Sequence, residues 1–167
     1  MNKHTVAVLV NNQFGVLNRV TSMFRRRQFN ISSLNVSETE TDSLSRITVS
    51  FEGDETHKQQ LINQLYKLPD VCSIKEFDPS QAVSCELLLI KLAADTLQRE
   101  QILKASAAFG AVVMEDSPQA LVLRLVDASS KIDEFVEAMR SHTILELCRT
   151  GSVSLEKGNT TIQNTIQ

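Results

Sequence analysis

The chain has 167 residues, 42% of them hydrophobic and 22% charged, with a formal net charge of −3. That balance suits one folded domain or two small ones and excludes a disordered chain. No basic run extends beyond Arg25-Arg26-Arg27, which leaves no surface for nucleic acid, and no apolar run is long enough to span a membrane.

Met1-Asn2-Lys3-His4 leads into a strand without an apolar signal core. Cys72, Cys85 and Cys148 are odd in number and widely spaced, which fits reduced thiols packed as core fillers. Both features point to the cytoplasm.

Residues 6–10 are apolar and mostly β-branched, which predicts a buried strand. Asn11 and Asn12 mark a turn, and Gly15 stands where a chain bending from strand into helix needs a residue without Cβ. Val16, Val20, Met23 and Phe24 recur at helical spacing, so a helix runs to about Gln28. Alternation predicts strands over 31–37 and 47–51 around a polar turn, 38–43. Asp54 is placed to cap a helix carrying Leu61, Leu65 and Leu68, and residues 71–77 form a fourth strand.

Asp78-Pro79-Ser80-Gln81 reads as a linker, after which the order repeats. A strand over 86–93 precedes a helix that starts at Asp95 or Thr96, carries Ile102, Ser106 and Phe109, and closes at Gly110. Two strands, 112–115 and 121–126, flank Asp116-Ser117-Pro118-Gln119. Ser130-Lys131-Ile132-Asp133 resembles a capping box, opening a helix with Ile132, Phe135, Val136 and Met139 on one face. A last strand spans 144–153, and the polar chain from Lys157 is expected to be a loose tail.

The fold class is therefore α+β, two tandem ferredoxin-like βαββαβ units over 1–78 and 82–158, followed by a polar tail over 159–167. Units of about 75 residues are marginal alone and leave sheet edges open, so pairing with a second copy is expected. Side-by-side N-terminal units would join their sheets and place ligand sites at the seam.

The strand-loop-helix corner over 6–20 leaves free backbone amides at a helix start, where amide donors and the helix dipole both favour an anion. A small carboxylate is its natural ligand. Each residue also has a plainer reading. Asn12 can serve as a turn residue or cap, Gly15 as backbone geometry alone, and Asn30 as a helix C-cap. Arg25, Arg26 and Arg27 can be a solvated helix face, and Arg46 an ordinary strand-end charge. His4, His57 and His142 share no metal-ligand spacing with the cysteines, and no catalytic motif or phosphate-binding glycine loop is present.

Asn12-Gln13-Phe14-Gly15-Val16-Leu17-Asn18-Arg19-Val20, then Arg26-Arg27-Gln28-Phe29-Asn30-Ile31, then Leu44-Ser45-Arg46-Ile47-Thr48 occur in that order, with Arg149-Thr150-Gly151 near the end. Together they resemble the small, regulatory subunit of acetolactate synthase, whose N-terminal unit is an ACT domain and whose C-terminal unit is ACT-like. The resemblance covers roughly residues 3–158.

It implies a non-catalytic subunit that activates the large catalytic subunit and conveys feedback inhibition by L-valine, with leucine or isoleucine as possible effectors. It implies effector contacts from Asn12, Gln13, Phe14, Gly15, Val16, Leu17, Asn30 and Ile31, and contacts to the catalytic subunit from Arg25, Arg26 and Arg46. It places homodimerisation in the ACT domains and assigns thiamine diphosphate, Mg and FAD to the catalytic subunit alone. Phe14 stands where the family often has Pro, Gln28 where it often has Gly, and Asn18 where it usually has Ser. A free-standing amino-acid sensor acting on transcription and a self-contained enzyme of ferredoxin-like fold are the rival readings.

Overall fold

The computed structural model describes residues 2–164. It divides into two compact units, one formed by residues 2–84 with 153–164 and the other by 85–152. The first runs β1 (Asn2–Asn11), α1 (Val16–Arg26), β2 (Ile31–Glu38), β3 (Leu44–Gly53), α2 (Glu55–Leu65), β4 (Val71–Glu76). Its sheet is ordered β2-β3-β1-β4, with antiparallel neighbours throughout. The two-residue period of β1 sends Val6, Val8 and Val10 to the helix side, where Ile47 and Val49 of β3 join them. Val16, Val20, Met23 and Phe24 of α1 and Leu61 and Leu65 of α2 close this core. Each such side chain contributes roughly 1.5–3 kcal/mol by leaving water.

The second unit repeats the order with β5 (Ala82–Ala93), α3 (Thr96–Ala107), β6 (Val112–Ser117), β7 (Ala120–Asp127), α4 (Ser129–Met139) and β8 (Ile144–Arg149). Its sheet is β6-β7-β5-β8. Leu88, Ile90 and Leu92 pack with Leu121, Leu123 and Leu125 against Ile102, Ile132, Phe135 and Met139. The tandem ferredoxin-like architecture expected from the pattern is therefore present, with helices on one face of each sheet.

The cysteines expected as core fillers are not in the core, Cys72 and Cys148 being exposed and Cys85 half-buried. In the elements themselves three details depart from the sequence reading. The strand expected over 144–153 is two strands, because Gly151 takes a left-handed φ of 75° and breaks the run. Beyond the break β9 (Val153–Glu156) pairs with β5, where Ser84 Oγ and Ser154 Oγ lie 2.7 Å apart. The segment from Lys157, expected to be loose, docks on the first unit, where Ser73 Oγ donates to Ile162 O at 2.7 Å. There a 3-10 turn forms over Ile162–Asn164, and residues 165–167 of the expected tail lie outside the described residues.

The third departure is at α4, which begins after Ala128 with no side-chain cap. Ser130 of the expected capping box lies inside the helix rather than at its cap, and Asp133 is engaged elsewhere. Asp133 accepts from Arg149 Nη1 at 2.7 Å, and the neighbouring Ser129 donates to Glu86 at 2.7 Å. The Glu86 side chain is only 2% exposed and accepts from both Nε and Nη2 of Arg149, at 2.5 and 3.1 Å. Bonding to Glu86 raises the Arg149 pKa above its ordinary value, against the opposing effect of partial burial. The Arg149-Thr150-Gly151 signature thus has a structural account. Arg149 ties β8 to β5 and α4, Thr150 Oγ1 accepts from the Leu87 amide, and Gly151 makes the turn.

At the end of α1, Gln28 adopts φ 57° in the left-handed region where glycine is favoured. Replacing it removes a local strain from an exposed position. Gln28→Gly is expected to stabilise the chain by about 0.5–1 kcal/mol, read as a higher denaturation midpoint at unchanged m-value.

Candidate functional site

β1 delivers the chain to the corner and three backbone bonds fix it there. Asn11 N donates to Asp70 O at 2.9 Å, Asn12 N to Ser43 O at 2.8 Å, and Gln13 N to Asn11 O at 3.0 Å. The Asn12 side chain adds Nδ2–H···O=C to Asp42 at 3.1 Å, so its amide nitrogen holds the loop against the turn between β2 and β3. Gly15 is the N-cap of α1 with φ 83°, and having no side chain it leaves the first helical amides without a side-chain acceptor. A Cβ there would meet only the flexible tip of Arg19 at 3.4 Å, so the requirement for glycine is conformational. Arg19 itself pairs with Asp70, Nε to Oδ2 at 2.6 Å.

No acidic residue lies in the first turn of α1, so among the described residues no first-turn carboxylate offsets the positive end of its dipole, although Val16 N donates to Gln13 O at 3.3 Å. Val16 is buried in the core, whereas Asn12, Gln13, Phe14 and Leu17 are exposed, Phe14 completely. Five of the six residues expected from 12 to 17 thus lie on an open surface, while Val16 points into the core. Asn30 and Ile31 do not join it within one chain. They lie past the C-terminal end of α1, whose 11 residues span about 16 Å. Between the two ends runs β2, the edge strand of the sheet, with Leu34 37% and Val36 41% exposed.

Arg25 and Arg26 are exposed in the last turn of α1. Arg46 is engaged within the unit. Its guanidinium sits 5.7 Å over the Phe77 ring and donates from Nη2 to Ser154 O at 2.5 Å, and burial lowers its pKa. This contact involves the docked C-terminal segment, which polar composition did not reveal. Among the described residues no group of three or more His, Cys, Asp or Glu side chains converges on a metal-sized point, and no helix is long and apolar enough to cross a membrane.

Residues 6–73 match the model of the AHAS small subunit-like ACT domain, and residues 85–158 match the small subunit of acetolactate synthase. The chain belongs to the acetolactate synthase small-subunit family. A probable acetolactate synthase small subunit of Archaeoglobus fulgidus is 41% identical over 94% of this chain and 98% of its own length. The isozyme 3 small subunit of Salmonella typhimurium is 33% identical over 94% and 97%. The crystal structure of the small subunit from Thermotoga maritima superposes with a TM-score of 0.87 at 32% identity, covering 96% of this chain and all of that one. Membership supports a regulatory, non-catalytic role.

Within this small subunit the two units differ at equivalent corners. Four residues, 12–15, separate β1 from α1, but only Ala94 and Asp95 separate β5 from α3. The Asp95 carboxylate accepts from Leu97 N at 3.0 Å and Gln98 N at 2.8 Å, occupying the place an anion would take. Arg99 then closes the corner, donating from Nη2 to Ala94 O and Ser117 O and pairing with Asp116. Only the first unit keeps an open corner. Gly15→Ala is expected to destabilise the chain by about 1–2 kcal/mol in denaturant titration, because alanine must hold a left-handed φ. An unchanged midpoint would show that the corner relaxes freely.

Proposed function

We propose that this chain is the regulatory subunit of an acetolactate synthase, activating the catalytic subunit and conveying feedback inhibition by L-valine. Thiamine diphosphate, Mg and FAD belong, on this reading, to the catalytic subunit. The observation that carries it is the uncapped start of α1 on Gly15, an open amide corner suited to an α-carboxylate. The exposed Leu34 and Val36 offer apolar contact suited to a branched aliphatic side chain.

The separation of Asn30 from the corner supports a two-fold assembly. Antiparallel pairing of two β2 edges sets the end of one α1 towards the start of the partner's α1, so Asn30 and Ile31 of one copy can complete the corner of the other. The same pairing covers an exposed apolar edge that would otherwise invite aggregation. Valine binding at such a seam shifts the holoenzyme only through a difference in affinity between its states. The exposed Arg25 and Arg26 remain candidates for contact with the catalytic subunit; Arg46 reaches it only if the C-terminal segment moves.

The test is reconstitution with the catalytic subunit and assay of acetolactate with and without valine. Activation by the wild-type chain and its reversal by valine are expected. Asn30→Ala should raise the half-inhibiting valine concentration at least about tenfold, equivalent to about 1.4 kcal/mol, with activation retained. Loss of activation and inhibition together would assign Asn30 to the fold instead. Val36→Lys is expected to yield monomers in analytical ultracentrifugation and to abolish valine sensitivity; dimers that keep full sensitivity would exclude the β2 seam.

A further inference from the structure

The helices cover one face of the first sheet, and the C-terminal segment lies on the other. Strand register puts Arg46 opposite Leu9, and Leu9 opposite Ser73 and next but one to Ala7, which faces Lys75. These residues alternate with the core-facing Val6, Val8 and Val10, so they share the face away from the helices. Residues 153–156 are held as β9 on β5 and Lys157 N donates to Gln81 O at 2.8 Å, and side chains add polar ties along 153–164. Arg46 donates to Ser154 O, Ser73 to Ile162 O at 2.7 Å, and Gln163 Nε2 to Glu40 at 2.8 Å. Lys75 Nζ lies 2.6 Å from Glu156 Oε2, an ion pair not aligned as a hydrogen bond.

Beneath the segment a cavity of about 360 Å³ remains, lined by Arg46, Lys75 and Phe77 from the sheet side and Glu156, Thr160 and Ile162 from the segment. Leu155, its large apolar side chain, is exposed. The first residues of the segment are fixed as β9 on β5 and by Lys157 N donating to Gln81 O at 2.8 Å. The stretch from Gly158 to Asn164 is instead tied to the sheet by the polar contacts of Ile162 and Gln163 beside an open cavity. It is this end that belongs to the low-stability part of the fold and opens locally.

The turn over 39–44 touches both this segment and the corner. It is rigidified by its own bonds, Thr39 N to Leu44 O, Leu44 N to Thr41 O, and Thr39 Oγ1 to Thr41 O. On one side Asp42 O and Ser43 O accept from Asn12. On the other side Glu40 accepts from Gln163, and Arg46, two residues past the turn, holds Ser154.

We propose that residues 153–164 form a strap whose docking is coupled to the effector corner through the turn at 39–44, with Glu40 and Arg46 as positioning residues. The inference rests on the corner being the effector site. An amino acid that fixes residues 12–15 also fixes the turn and favours the docked strap. By linkage the docked strap raises affinity at the corner by the same factor. The strap is the two-state element that such coupling requires.

Hydrogen exchange of the full chain, read by mass spectrometry, tests it with and without saturating L-valine. Valine is expected to slow exchange over 153–164 as well as over 11–17. Gln163→Ala, at an exposed position, and Arg46→Gln are each expected, without ligand, to speed exchange over 153–164 and at the Asn12 amide. Residues 85–152 should be unaffected, and each variant should weaken valine binding by about fivefold. A strap that loosens while the Asn12 amide and valine affinity stay unchanged overturns the coupling, and so does protection by valine confined to 11–17. Failure of valine to protect even 11–17 contradicts the effector reading instead; the ligand-free variants still decide whether strap and corner are coupled.

Discussion

A helix must find partners for its first amides, and the four α-helices among the described residues meet that need differently. Asp54 caps α2 and Asp95 caps α3, each accepting from amides of the first turn. At α4 the Asp127 carboxylate accepts from the Ala128 amide just outside the helix. Bonding to the His57 amide lowers the Asp54 pKa below its ordinary value, as a charge at a helix N-terminus should be favoured. Both α1 and α4 lack a side-chain cap, but α1 starts on a glycine whose φ of 83° sets the helix axis, and no adjacent carboxylate is bonded there as Asp127 is beside α4. The unmet electrostatic demand is local, and it falls where the loop is longest and most exposed.

That demand organises the proposed function. A carboxylate ligand would supply externally what Asp95 supplies internally in the second unit, so the two units can share a fold without sharing a ligand. The second unit instead commits its charged groups to cohesion. The buried Glu86 joins Arg149, Asp133 and Ser129 across β5, β8 and α4. In the first unit a comparably buried cation, Lys58, is pulled down by burial but held above its ordinary pKa by Glu55 and Glu76. Charges placed in this way stabilise the units, and the corner of α1 remains available.

The sequence was a good guide wherever one side chain decides local structure. Period-two alternation located the strands, helical spacing located α1, and Gly15 marked the bend because no other residue turns left-handed there without strain. Asp54 and Asp95 were recognisable as caps. What it did not reveal depends on contacts distant in sequence. The strap docks largely through backbone carbonyls, Ser154 O and Ile162 O, which carry no compositional signal. Ser130 and Asp133 looked like a capping box because their spacing is right, but Arg149 claims Asp133. Within the candidate site, residues 12–17 were legible as a corner. The separation of Gly15 from Asn30 was legible as well, because the helix expected from Val16 to about Gln28 lies between them.

The central claim is that the α1 amides hold a carboxylate, and the most direct measurement is calorimetric titration with L-valine and with valinamide, which has the same side chain and ammonium but no carboxylate. The account predicts one valine per chain and binding of valinamide weaker by at least about a hundredfold, as loss of a charge-assisted contact to oriented amides would cause. Equal affinity for the two compounds, or a second equivalent site in each chain, would contradict it.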